Sequence, residues 1–328
     1  MQTDFREGFI IYRNGKKEPA YVCVHSGPAL ENPVSRDNNS ETVASLCWMK
    51  TGGTLIISTL PRKRAFGIDF NRGIPPKPEA LAGFKYFISK SNRKFLHEYR
   101  KKYAWTAKDN EDYDTRLKIY NRFWKEVKKN FFVLLIHTAL TRLRFVPSIM
   151  DISSFDDKII SKEEFIKIIN SVNSDYSDFF KKIENEYKTF VLLEEERAII
   201  NTFRIYNKFG LEKIDIDFLD KMKMGLNLVK KYCGPSVYND LQKKFTQKKF
   251  IRAVKLTLEK MPAPKITYEH IFRGERSYGP KRELKEILGK NRVIVQFEPV
   301  YFMSFWYPNE TSQIITDIIN RVLEKIAK

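Results

Sequence analysis

Four places in this chain set chemically capable side chains at the ends of apolar runs: His25, the stretch 69–72, His137 and Glu298. In open α/β sheets, ligands bind in the crevice beyond the carboxyl ends of the strands. An imidazole there can ligate a metal, or it can be a hydrogen-bonded structural group. The chain has only 4 histidines, and two of them directly follow apolar strands, which favours one shared site. The stretch 69–72 sets an Asn71-Arg72 pair beside Asp69. The plainer reading of that pair is a strand-end salt bridge. The plain reading of Glu298 is likewise a strand-end carboxylate paired with a nearby arginine.

These residues need a sheet to hold them. Ala20 to Val24 (AYVCV) runs straight into His25-Ser26-Gly27, and Thr54 to Thr59 (TLIIST) follows the Gly52-Gly53 turn. Phe132 to Ile136 (FVLLI) ends at His137, and Arg292 to Phe297 (RVIVQF) ends at Glu298. Continuous apolar runs of this kind suit interior strands of a sheet covered on both faces. Helices fit between them: Glu41 to Lys50 with Ser40 or Asn39 as cap, Arg116 to Lys129, and Thr311 to Lys328 with an isoleucine-rich stripe. Alternation of strand and helix predicts an α/β fold with a mostly parallel or mixed central sheet flanked by helices.

The middle of the chain reads differently. From about Ser161 to Lys260 the pattern is helical throughout, and Met261-Pro262-Ala263-Pro264 marks its end. The expectation is therefore a discontinuous catalytic domain, residues 1–154 and 263–328, carrying a large all-helical insertion over 155–262.

Bulk properties narrow the class without choosing a function. With 328 residues, 42% hydrophobic and 14% aromatic, the chain can bury a substantial core and does not read as disordered. No apolar run approaches a membrane span, and the N-terminus lacks an apolar signal core. Three scattered cysteines form neither a disulfide framework nor a zinc-finger pattern, so a cytoplasmic location is expected. Lys and Arg number 59 against 40 Asp and Glu, a net charge of +19. That suits an acidic small substrate or a nucleic acid, although runs such as KKIENEYK read as solvated helix faces.

Taken together, HSGP at 25–28, IDFNR at 68–72, IHT at 136–138 and VQFE at 295–298 resemble the signatures of the N-formylglutamate amidohydrolase family. Order and approximate spacing match over residues 18–145 and again over about 271–303. The resemblance implies a phosphorylase/hydrolase-like fold, like that of zinc carboxypeptidases and aspartoacylases. It implies Zn2+ held by two histidines and a carboxylate, with an open position for the water that attacks an amide. By this carry-over His25 and His137 are ligands and Glu298 is the general base. The third ligand falls where Ser40 stands; Glu41 is the expected carboxylate, Asp37 the alternate, and Glu31 is also near in sequence.

The same resemblance gives Asn71 and Arg72 to the substrate carboxylate, with Arg64 as an upstream arginine and Asp69 orienting Arg72 or a histidine. Arg273 and Arg276, in FRGERSYGPKRE, add positive charge for an acidic substrate. The expected substrate is a small acidic N-acyl amino acid or peptide. Two other readings stay open: a basic nucleic-acid-associated protein on the same fold, and a family relative without metal or activity. His97 and His270, in polar surroundings, read as surface residues.

Overall fold

The computed structural model of the protein describes residues 1–16, 18–29, 36–89, 91–155, 159–208, 225–271 and 292–326. Its fold is α/β, as expected, built on an 8-stranded sheet. The strands are β1 (Gln2–Arg6), β2 (Phe9–Arg13), β3 (Ala20–Cys23), β4 (Thr54–Ser58), β5 (Phe132–Ile136), β6 (Ser148–Ser154), β7 (Lys265–Tyr268) and β8 (Val293–Pro299). They lie in the order β1-β2-β4-β3-β5-β8-β6-β7. The four central strands run parallel, whereas β2 pairs antiparallel with β4, and β6 antiparallel with β8.

Burial explains the parallel centre. Every residue of β3 and of β5 is buried, so both faces of these strands are covered, and the apolar runs have no polar alternation. Helix α1 (Ser40–Thr51) packs on β3 and on the C-terminal helix, Pro308–Ile326. On the core side, α4 (Asn110–Val127) buries Tyr120, Phe123 and Trp124. It begins earlier than the expected Arg116, because the Asp109 side chain caps it by accepting from the Asp112 N–H at 2.8 Å. Two helices over Lys77–Ser89 and Arg93–Lys102, α2 and α3, and the β1–β2 hairpin were not anticipated.

The chain divides into two compact units. The larger comprises Met1–Ala139, Met150–Val172 and Tyr268–Lys328; the smaller comprises Leu140–Ile149 and Asn173–Thr267. Between Lys162 and Lys260 each described element is a helix: α5 (Lys162–Asp175), α6 (Ser177–Lys208), α7 (Leu226–Cys233), α8 (Pro235–Lys243) and α9 (Gln247–Lys260). Most of α5 belongs to the larger unit, with Phe165, Ile168, Ile169 and Val172 buried. Among the described residues, no helix is long and apolar enough to cross a membrane.

Candidate metal centre

Backbone packing fixes the strand ends before any side chain acts. After β3 the chain enters His25-Ser26-Gly27, where a Cβ on Gly27 would lie 1.8 Å from the Leu60 carbonyl oxygen. Only glycine lets the loops after β3 and β4 approach this closely. His137 continues the β5–β8 ladder by donating its N–H to the Phe297 carbonyl at 2.9 Å. Glu298 is therefore its near neighbour on the adjacent strand. The IDFNR stretch is pinned by Phe70, fully buried and stacked on Phe123 with ring centroids 4.0 Å apart.

On this frame His25, Asp37 and His137, all buried, form a group whose ligand atoms lie within 4.8 Å of one another. The Asp37 Oδ2 stands 3.1 Å from His25 Nδ1 and 2.6 Å from His137 Nδ1. The two rings are 5.1 Å apart. Around a tetrahedral cation with bonds of about 2.0–2.1 Å, ligand atoms sit roughly 3.4 Å from each other. With small adjustments of these side chains the group could hold a divalent cation.

The hydrogen bonds of the two rings are compatible with a cation in the same place. The other ring nitrogen of His25, Nε2, faces Asp69 Oδ1 at 2.8 Å. Asp37 and Asp69 are both acceptors, and a ring protonated at both nitrogens donates to each. A metal on Nδ1, in place of that proton, would leave the Nε2–H for Asp69. At His137, Nε2 faces the Asn71 amide at 3.2 Å, and Asn71 Oδ1 is buried with no hydrogen-bond partner. With a metal on His137 Nδ1, Nε2 carries the proton. An amide turned by 180° would then accept it through the orphaned oxygen.

Asp37 reaches the group because its own backbone folds back. Its N–H donates to the His25 carbonyl at 3.1 Å, and its carbonyl accepts from Ser40 N–H at 3.2 Å. Asn39, at φ 65°, then turns the chain into α1. Burial alone would push the Asp37 carboxyl up. The His25 charge and the hydrogen bonds from both histidines outweigh it and hold the group well below the usual range.

Glu41, the expected third ligand, is a correction. It lies in the first turn of α1, bound to the Arg36 guanidinium, and Asp37 takes its place beside the histidines. Glu31 and Arg276, like Arg273, lie outside the described residues. His270 is exposed.

Asp69 is wholly buried and collects cations. Arg64 Nη2 approaches it at 2.7 Å and Arg62 Nε at 3.0 Å, while the Asn71 N–H donates to Oδ1 at 3.1 Å. Burial raises the Asp69 pKa, but Arg64, Arg62 and His25 overcome it and leave the carboxylate ionised well below its ordinary range. Arg64 is committed to Asp69 and to the Arg100 carbonyl at 2.8 Å, and burial pushes its pKa down to about 10. Arg72 is set on the Arg100 carbonyl at 3.1 Å. The arginine that faces the centre is Arg62, which the sequence reading passed over. It lies 3.9 Å from Asp37 Oδ1, its side chain is 27% exposed, and it feels the Glu298 charge. Its signal was present in PRKR, two residues before Arg64.

Glu298 completes the cluster. It is buried, accepts from Gln296 Nε2, and interacts electrostatically with His137, Asp37 and Arg62. Burial pushes its carboxyl up to about 7, with Asp37 adding to the rise and His137, the Gln296 hydrogen bond and Arg62 opposing it. A carboxyl group of that strength can take and return a proton near neutral pH.

No protein-family model matches this chain, and no curated protein does. Among solved structures, gene product Atu2144 from Agrobacterium tumefaciens aligns with a TM-score of 0.43 and 10% identity, over 98% of this chain and 97% of that one.

Proposed function

We propose that the protein is a zinc-dependent amidohydrolase acting on a small, acidic N-acyl amino acid or peptide. The observation that carries this reading is the convergence of His25, Asp37 and His137 beside the buried carboxyl group of Glu298. Imidazole nitrogens with one carboxylate oxygen are the donor set zinc favours. Bound there, zinc would acidify a water molecule and polarise the amide carbonyl.

The remaining work falls to the chain. Glu298 takes the proton of the attacking water and delivers it to the leaving nitrogen. Asp69 holds His25 through Nε2 and is itself held by two arginines, so the ring cannot rotate away. Arg62, partly exposed and facing the centre, offers its outer guanidinium nitrogens to a substrate carboxylate. Asn71 adds its amide, and Arg72 extends the positive charge.

The test is hydrolysis by zinc-loaded protein of a panel headed by N-formyl-L-glutamate and N-acetyl amino acids, read by release of the free amine. Turnover is expected for acidic members. Glu298→Gln should lower kcat by about 10²–10⁴-fold while zinc content is unchanged. No turnover across the panel, or an unaffected Glu298→Gln protein, would refute the reading.

A further inference from the structure

The smaller unit carries a charge pattern that an amidohydrolase does not require. Along α6 the sequence balances 6 Lys and Arg against 6 Asp and Glu over 177–208. They pair at helical spacing, as in Lys188–Glu184 and Arg197–Glu194. That is the ordinary solvated helix face. Residues 225–265 are different, with 10 Lys and Arg against only Asp240 and Glu259. Asp240 is already matched by Lys249 at 2.8 Å.

The excess is displayed rather than scattered. On α9 Phe250, Ala253, Val254, Thr257 and Leu258 are buried and face inward. Lys248, Arg252 and Lys255, at positions i, i+4 and i+7, form an exposed stripe on the opposite side. Lys243 and Lys244, at the end of α8 and just after it, are exposed too. Two half-buried tyrosines lie among further exposed lysines: Lys231 Nζ is 5.1 Å from the Tyr232 ring, and Lys230 Nζ is 5.6 Å from that of Tyr238. Cations that track a backbone, interleaved with rings that accept a base, are what single-stranded nucleic acid uses. An anionic membrane is the poorer fit. Helices that lie on lipid present large apolar residues beside the cations, and among the described residues 225–267 expose none.

We propose that the basic face of α7, α8 and α9 binds single-stranded nucleic acid, chiefly through its phosphates. The test is fluorescence anisotropy of the full-length protein with a labelled oligouridine of about 20 nucleotides, at low and moderate salt. Neutralising about five phosphates of a single strand should weaken binding about 100-fold between roughly 50 and 200 mM salt. Lys248→Glu/Arg252→Glu/Lys255→Glu should weaken it at least about 30-fold at low salt. A control, Lys118→Glu/Arg122→Glu/Lys125→Glu, makes the same charge change on the exposed face of α4 and should stay within about threefold of the parent. Thermal melts by circular dichroism establish that both variants fold, and the salt slope of the parent protein is read independently of either.

Three results would overturn the proposal: no binding at low salt, equal loss in both triple variants, or tighter binding to phosphatidylserine vesicles than to the oligonucleotide.

Discussion

Asp69→Asn probes the frame around the proposed metal centre most sharply. The substitution keeps the size of the side chain and an oxygen for His25 and the Asn71 N–H, and it removes one charge from a position with 0% exposure. Two guanidiniums lose their partner. Arg62, 27% exposed, can turn to water; Arg64, 10% exposed, cannot, and keeps only backbone acceptors such as the Arg100 carbonyl. Removing one member of a buried pair costs about 3–5 kcal/mol, and the surviving backbone bonds to Arg64 place the expected loss near 3 kcal/mol. Zinc affinity should fall about 10–100-fold, because His25 loses the carboxylate that fixes its ring.

The stability assay is urea unfolding of metal-free protein, followed by tryptophan fluorescence, since all four tryptophans lie in the larger unit. The pH dependence has a definite sign. Asp69 is held below its ordinary pKa, so its contribution is present above the unfolded value of about 3.9 and is lost as pH falls through the lower folded value. The gap between parent and variant should therefore stay constant from about pH 8 to pH 5. A loss under about 1 kcal/mol together with unchanged zinc affinity would show that Asp69 neither anchors Arg64 nor orients His25.

Other consequences follow from the same geometry. Gly27→Ala drives a Cβ into the Leu60 carbonyl and should destabilise the larger unit by about 1–3 kcal/mol in the same urea assay; a neutral effect would mean the two loops are not locked together. Arg62→Ala should fold normally yet raise KM for acidic substrates, whereas Arg64→Ala should lose stability; the reverse pattern would exchange their roles. Glu298 has a folded pKa raised to about 7, so the metal-free protein should lose stability as pH rises from about 4.3 towards 7. Unfolding midpoints across that range should be flatter for Glu298→Gln, and an equal slope in both proteins would contradict the assigned burial.

The interior of the sheet is legible in the sequence because β3, β5 and β8 are buried on both faces and read as unbroken apolar runs. Its antiparallel edge is less so. FREGFIIYR holds a hairpin, β1–β2, around Gly8, which sits at φ 89°, but neither half is a long apolar run. Arg93–Lys102 is so rich in charge that its few apolar residues did not register as a helix stripe.

In the site, His25, His137 and Glu298 stand out because each terminates such a run, and backbone register alone brings their strands together. Asp37 does not stand out. Which of several acidic residues before α1 reaches the histidines depends on one left-handed residue, Asn39, and one backbone hydrogen bond to His25. Arg62 and Arg64, two residues apart, differ only in which guanidinium keeps an open side. That is set by the close packing of 60–67 and is invisible to spacing.

The most direct test is the zinc stoichiometry of purified protein by elemental analysis, with Asp37→Ala and Glu41→Ala measured beside it. One zinc per chain, retained in Glu41→Ala and lost in Asp37→Ala as in His25→Ala/His137→Ala, is the expected result. No zinc in the parent protein after reconstitution, or zinc retained in Asp37→Ala and lost in Glu41→Ala, would contradict the metal centre proposed above.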